Sequence, residues 1–141
     1  MTKSKSYWLL KSEPDVYGWD DLIAEGEGTW DGVRNYTARL HLRAMAVGDE
    51  AFFYHSNVGV EIVGVVKISK AGFQDPSDTT GRWTSVKVKP VMKLKRSVTL
   101  KEIKADPALA DMDLLTKFRL SVSPVRLAEW AQIVALSQRS V

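Results

Sequence analysis

The sequence predicts an α+β domain in which five to six strands form one curved or barrel-like sheet flanked by short helices. Three observations point there. Apolar and aromatic runs of strand length recur along the chain, and helical spacings appear early and again at the end. No stretch resembles a linker, a repeat or a low-complexity segment, so 1–141 reads as a single domain. With 45% hydrophobic and 26% charged residues, the composition is that of a globular protein rather than a disordered or fibrous one.

Tyr7-Trp8-Leu9-Leu10 reads as a buried strand that runs into Lys11-Ser12-Glu13 and is stopped by Pro14. Trp19, Leu22 and Ile23 follow at helical spacing, with Gly18 in the capping position, Asp21 three residues on and Gly26 past the end. A short, weakly capped helix is expected. After a loop around Trp30, Ala38, Leu42 and Met45 fall at i, i+4 and i+7, while Arg39 and Arg43 share a second stripe that Arg34 and Tyr36 extend. A helix from about Asn35 to Ala46 therefore has a core side and a basic side. Val47-Gly48-Asp49 turns the chain into Ala51 to Ser56, which is too apolar for an edge and should be a central strand.

Val60, Ile62, Val66 and Ile68 alternate with Glu61, Val63, Val65 and Lys67, and Gly64 in their midst implies a bulge or a close backbone approach. The turn formers from Gly72 to Gly81 predict an exposed loop. Arg82-Trp83-Thr84-Ser85 opens the longest strand, with Val86, Val88, Met92 and Leu94 on one face and Lys87, Lys89, Lys93 and Lys95 on the other. Lysines so placed offer point charges to phosphates, although edge protection and solubility account for them slightly better. Thr99 to Glu102 has capping-box spacing, and Asp106-Pro107 starts a second short turn. Arg119 to Ser123 is the last strand-like piece. Pro124 then takes a first helical position behind Ser123 as cap, with Leu127, Trp130 and Val134 facing the core.

Few chemistries are open to these residues. There is no cysteine, which removes disulfides, thiol nucleophiles and thiolate metal sites. Only His41 and His55 could supply imidazole, so no metal and no cofactor is expected. Ser12 or Ser56 with His55 and Asp31 could be imagined as a triad, and Glu13 with Asp31 as a carboxylate pair, but no nucleophile elbow or oxyanion-hole motif accompanies them. Binding is the stronger class than catalysis. No apolar run approaches the ~18 residues of a spanning helix, and residues 1–6 lead into a strand rather than a secretory segment, so a cytoplasmic protein with no membrane partner is expected. The net charge of +3 suits a polyanion without requiring one.

The densest chemistry lies in Trp30-Asp31-Gly32-Val33-Arg34-Asn35. A flat aromatic, a carboxylate, a guanidinium and an amide can together stack on and hydrogen-bond to a planar ring, and Gly32 lets the backbone approach it. A core tryptophan beside a capping aspartate explains the same residues without any ligand.

One wider pattern adds to this. Tyr7 to Pro14, Trp30 to Tyr36, Ala38-Arg39, Leu42-Arg43, Gly48-Asp49, Phe53 to Ser56, Arg82-Trp83 and Arg119 to Val122, in that order, resemble an EVE domain of the thymocyte nuclear protein type along nearly the whole chain. The resemblance implies a PUA-like fold, a strongly curved sheet or barrel of about five to six strands with flanking short helices, related to the YTH readers of methylated adenine in RNA. It also implies a nucleic-acid-binding module that encloses a flipped or unpaired modified base, foremost 5-methylcytosine or 5-hydroxymethylcytosine in DNA. Modified RNA, or an amidohydrolase-like use of the same pocket on a small molecule, is the alternative. By the resemblance Trp30 would wall the base pocket, Ser12 and Glu13 would reach the base edge, and Asp31 and Asn35 would add polar contacts. Tyr54, His55, Ser56, Trp83, Leu120 and Ser121 would complete the lining. Arg34, Arg39 and Arg43 would meet phosphates, as the lysine strand could through Lys87 and Lys89. Two features depart from the pattern: Gly18 stands where a serine cap is common, and the Gly72 to Gly81 loop lacks a tyrosine-and-lysine-bearing insertion.

Overall fold

Among residues 5–56, 59–117 and 119–138, which the computed structural model describes, six strands pair into one mixed sheet. They are β1 (Tyr7–Ser12), β2 (Gly28–Trp30), β3 (Glu50–His55), β4 (Glu61–Gln74), β5 (Thr84–Thr99) and β6 (Val122–Val125), in the order β2-β5-β4-β3-β1-β6. β1 and β3 run parallel, and the neighbouring pairs around them are antiparallel. The helices are α1 (Trp19–Glu25), α2 (Tyr36–Ala44), α3 (Leu100–Ala105), α4 (Asp113–Thr116) and α5 (Leu127–Ser137), with a 3₁₀ turn at Pro107–Leu109. Residues 1–4 of the leading segment lie outside the described residues.

Alternation along the central strands builds two cores. Leu10 and Phe53 point to a cluster with Trp19 and Leu22 of α1 and Ala38 and Leu42 of α2. Leu9 and Phe52 point the other way, onto Ile103 of α3 and Trp130 and Ile133 of α5. β3 is buried on both faces from Ala51 to Tyr54, as its apolar run requires. Phe52 stacks on Trp130 with ring centroids 3.8 Å apart.

The expected caps at Gly18 and Thr99 form, and Asn35 supplies one that was not expected. Gly18 N–H donates to Asp21 Oδ2 at 2.7 Å, Ala38 N–H donates to Asn35 Oδ1 at 2.9 Å, and Thr99 and Glu102 close a reciprocal box. Gly64 fulfils both of its expectations. The β3–β4 and β4–β5 registers slip beside it, and the Trp19 ring lies where a Cβ would be.

Elsewhere the structure departs from expectation for identifiable reasons. Repeated register slips bend β5 from one core to the other, so Val86 and Val88 join the first cluster, Leu94 and Val98 join the second, and Met92 is 45% exposed. Its lysines do not form one stripe. Pro124 belongs to β6, opposite Trp8, and Ser123 pairs with Leu9 instead of capping a helix. An edge strand tolerates the missing proline donor. α5 begins at Leu127, where the Glu129 carboxylate accepts the Arg126 N–H at 3.0 Å; Leu127 itself is exposed, and Trp130, Ile133 and Leu136 face the core. Ile23 is likewise exposed. Gly28–Trp30 forms the short strand β2 where a loop was expected, and Phe73 and Gln74 finish β4 instead of opening a loop. The turn beyond them is no simple exposed loop, because Asp75 and Asp78 are buried within it.

Candidate functional site

A hollow of about 470 Å³ opens where β1 ends, in the size range of small-ligand pockets. Lys11, Ser12 and Glu13 form one side, Val16 and Tyr17 of the following turn a second, and Thr29 to Arg34 a third, with Ser121 closing it. Pro14 ends β1 and forces the turn, which Val16 and Tyr17 N–H groups close on the Glu13 carbonyl at 3.0 and 2.8 Å. The Ser12 hydroxyl donates to the Tyr17 carbonyl at 2.5 Å, so toward a ligand it acts as an acceptor. Lys11 N–H to the Ser121 carbonyl, 2.9 Å, ties the last wall to β1.

Trp30 reaches this hollow from β2, where it pairs with Val86. Its ring is 7% exposed and meets Phe53 and Tyr17 edge-on, at 5.4 and 6.2 Å between centroids. It is thus a rigid, mostly interior wall rather than a free-standing face. Gly32 has φ +76°, a conformation costly for residues with a Cβ, and its N–H donates to Asp75 Oδ2 at 2.7 Å. Asp75 also accepts from Arg34 Nη1 at 3.0 Å and from the Ser77 N–H and hydroxyl at 2.7 and 2.6 Å. Burial pushes its carboxyl pKa up, but these donors outweigh burial and hold it below the ordinary range. Burial pulls the Lys11 ammonium below its usual value. Lys11 and Arg34 share the hollow with Glu13 and Asp31, so donors and acceptors of both charges line it. Such a wall suits a polar, uncharged heterocycle better than a phosphate, which the carboxylates would repel.

Of the expected base-pocket residues, Ser12, Glu13, Trp30, Asp31 and Ser121 come together here. Tyr54 does not: it is buried in the second core, where burial drives its hydroxyl pKa up to about 12. His55 lines a different hollow, of about 460 Å³, with Asp20, Glu61 and Lys95. There its Nε2 accepts the Trp19 N–H at 3.1 Å, and burial lowers its pKa against the opposing pull of Glu61 and Asp20. Ser56 contributes its backbone N–H to the Ser12 carbonyl at 2.9 Å and lines no part of the first hollow. Consecutive strand residues alternate sides, so Tyr54 and His55 face opposite ways. Asn35 caps α2 and, with Leu120, borders a third hollow of about 350 Å³. Trp83 lies outside the first hollow, beside Tyr36.

Among the expected phosphate contacts, Arg34 itself lines the hollow but is committed to Asp75 and Ser77. Arg39 Nη1 and Arg43 Nη2 both donate to the Arg82 carbonyl, at 2.9 and 3.3 Å, and Arg43 Nε to Thr84 Oγ1 at 3.0 Å. They pin the Asp75 to Trp83 turn to α2, with guanidinium donors to spare. Lys87 lies opposite Thr29 and faces Lys70 on β4, while Lys89 faces Lys67. These lysines stand beside the hollow rather than in it. Lys11, Val16, Tyr17 and Thr29 were not anticipated. The signal for them was the proline-stopped strand end, whose return turn had to pack on it.

The EVE domain family model matches residues 6–136. The NMR structure of Rpa0253 from Rhodopseudomonas palustris is 47% identical, with a TM-score of 0.89, covering 94% of this chain and 92% of that one. Human THYN1, crystallised in complex with 5-methylcytosine-containing DNA, is 35% identical, with a TM-score of 0.88 and coverage of 97% and 100%. A YTH domain of the Zygosaccharomyces rouxii MRB1 protein, in complex with N6-methyladenosine RNA, shares the fold at 17% identity, with a TM-score of 0.63 over 99% of this chain and 91% of that one. The mixed sheet with flanking helices is the PUA-like fold that the sequence resemblance implied.

Proposed function

Because the chain belongs to the EVE domain family, we propose that it is a nucleic-acid-binding module that reads one modified base, 5-methylcytosine or 5-hydroxymethylcytosine in DNA, in the hollow at the end of β1. One observation carries this reading. The walls that meet there, indole, hydroxyl, ammonium and carboxylate, are those a heterocycle needs, in a chain 35% identical to a protein crystallised on 5-methylcytosine-containing DNA.

A base inside a duplex shows only its groove edges, so a pocket that surrounds it takes it flipped or unpaired. Extrusion costs a few kcal/mol, and contact with one aromatic wall returns about 1–3 kcal/mol. Affinity then falls to phosphate contacts, which we assign to Arg39 and Arg43, whose guanidinium groups keep donors to spare, and to Lys87 and Lys89. Discrimination falls to the pocket, where an added methyl against Val16, Val33 or Trp30 contributes about 1–3 kcal/mol. A hydroxymethyl group gains more where Ser12 or Ser121 can bond it. The proposal is recognition without turnover.

Fluorescence titration of oligonucleotides differing only in cytosine, 5-methylcytosine or 5-hydroxymethylcytosine, single-stranded and duplex, with RNA counterparts, tests this. Preference for a modified DNA base by roughly tenfold or more is expected. Trp30→Phe should reduce that preference, and Trp30→Ala should bring modified and plain oligonucleotides to a common weak affinity. Equal affinity of the wild type for plain and modified DNA would reject the reading. Preference for modified RNA would favour the RNA alternative, and chemical conversion of modified nucleosides the enzymatic one.

A further inference from the structure

We infer that the outer surface where Tyr36 meets Trp83 is a second nucleic-acid subsite, on which the unpaired base next to the one in the hollow stacks. The inference rests on the reading above and extends it from one base to a short single-stranded tract.

Tyr36 opens α2 and is 61% exposed. The Trp83 ring lies 5.2 Å away at 34°. The Arg39 guanidinium sits 4.9 Å from the Tyr36 ring and 5.5 Å from that of Trp83, and the Arg34 guanidinium also lies 5.5 Å from Trp83. Aromatic rings interleaved with guanidinium groups are the composition that holds unpaired strands, because every base has a π-face and every linkage a phosphate.

The surface is also held in place before any ligand arrives. Asp78 accepts the Trp83 N–H at 2.9 Å, and Arg39 and Arg43 clamp the neighbouring Arg82 carbonyl. A pre-ordered platform loses little entropy on binding. Its charge differs from that of the hollow. The nearby carboxylates, Asp75 and Asp78, are buried inside the turn, so the outward charges are those of arginines. Arg34 belongs to both places, lining the hollow and approaching Trp83, so a strand leaving the hollow past Arg34 meets the platform next.

An abasic scan tests this. Single-stranded oligonucleotides carrying one 5-methylcytosine, and matched ones carrying cytosine, receive an abasic residue at each flanking position in turn. One flanking position should weaken wild-type binding roughly tenfold. Tyr36→Ala should lose the same factor on the intact strand, lose nothing more on that abasic strand, and keep the ratio of modified to plain affinity. Trp83→Ala should behave like Tyr36→Ala and Trp83→Phe should lose less, with Tyr36→Ala deciding if Trp83→Ala fails to fold. Unchanged affinity of Tyr36→Ala, or equal losses on intact and abasic strands, would overturn the platform. Absence of any modified-base preference in the wild type would instead reject the hollow, and the coupling could still be read on plain strands.

Discussion

The buried carboxylate of Asp75 receives the Gly32 amide at 2.7 Å, joining the loop that walls the hollow to the turn that presents Trp83. These segments are 43 residues apart in sequence. One side chain therefore sets the distance between the two places where bases are proposed to lie. Replacing Asp75 with alanine leaves the Gly32 and Ser77 donors unmatched and should cost about 2–3 kcal/mol, discounted for the partly exposed Arg34 partner. Urea denaturation measures the loss. A wild-type midpoint would show that water replaces this carboxylate without penalty.

Acid should loosen the same turn. Asp78 accepts from the Thr80 hydroxyl at 2.6 Å, the Thr80 N–H at 2.8 Å and the Trp83 N–H at 2.9 Å. The Thr80 hydroxyl leads in lowering its pKa from 3.8 to about 2, and Asp75 shifts in the same direction. A carboxylate whose pKa is depressed by folding adds stability that is complete above its unfolded value and disappears as pH falls through its folded one. Thermal unfolding of the wild type should therefore drop more steeply between about pH 4 and pH 2 than that of Asp78→Asn. Parallel curves would place the acid sensitivity elsewhere.

Two glycines should fail for different reasons. At Gly32 a Cβ meets nothing within 4 Å, so Gly32→Ala suffers only from φ +76° and should lose about 1 kcal/mol. At Gly64 the Trp19 ring occupies the space, so Gly64→Ala should lose about 1–3 kcal/mol or more by overpacking. Combining Gly64→Ala with Trp19→Leu separates the mechanisms, since the double variant should be destabilised by less than the sum. Additive losses would count against the contact.

The lysines on β4 and β5 set stability against binding. Lys67 faces Lys89, and directly opposed like charges on a sheet are unfavourable by about 0.2–1 kcal/mol. Lys89→Glu should thus raise the melting temperature slightly while lowering nucleic-acid affinity and flattening its dependence on salt. An unchanged salt slope would leave Lys89 a solubility residue.

Much of this was legible in the chain because it is decided locally. The Gly18–Asp21 cap, the Thr99–Glu102 box and the helical spacings of Trp19 with Leu22 and of Ala38 with Leu42 depend on neighbours within a few residues. The segment from Trp30 to Arg34 and the end of β1 announced themselves by composition, and both line the hollow. The sequence by itself also carried enough ordered motifs to place the chain in its family, matched over residues 6–136.

Tertiary structure alone decided which of those residues share a side. Tyr54 and His55 are adjacent in the chain, yet one is buried in a core and the other borders a separate hollow. Trp30 and Trp83 are both expected to line the pocket, yet β2 pairing turns one inward and the Asp75–Asp78 turn holds the other outside it. Register slips bent β5 and dispersed its lysines. Each outcome depends on strand register, bulges and turn closure between segments tens of residues apart, and periodicity read within one segment contains no information about its partner.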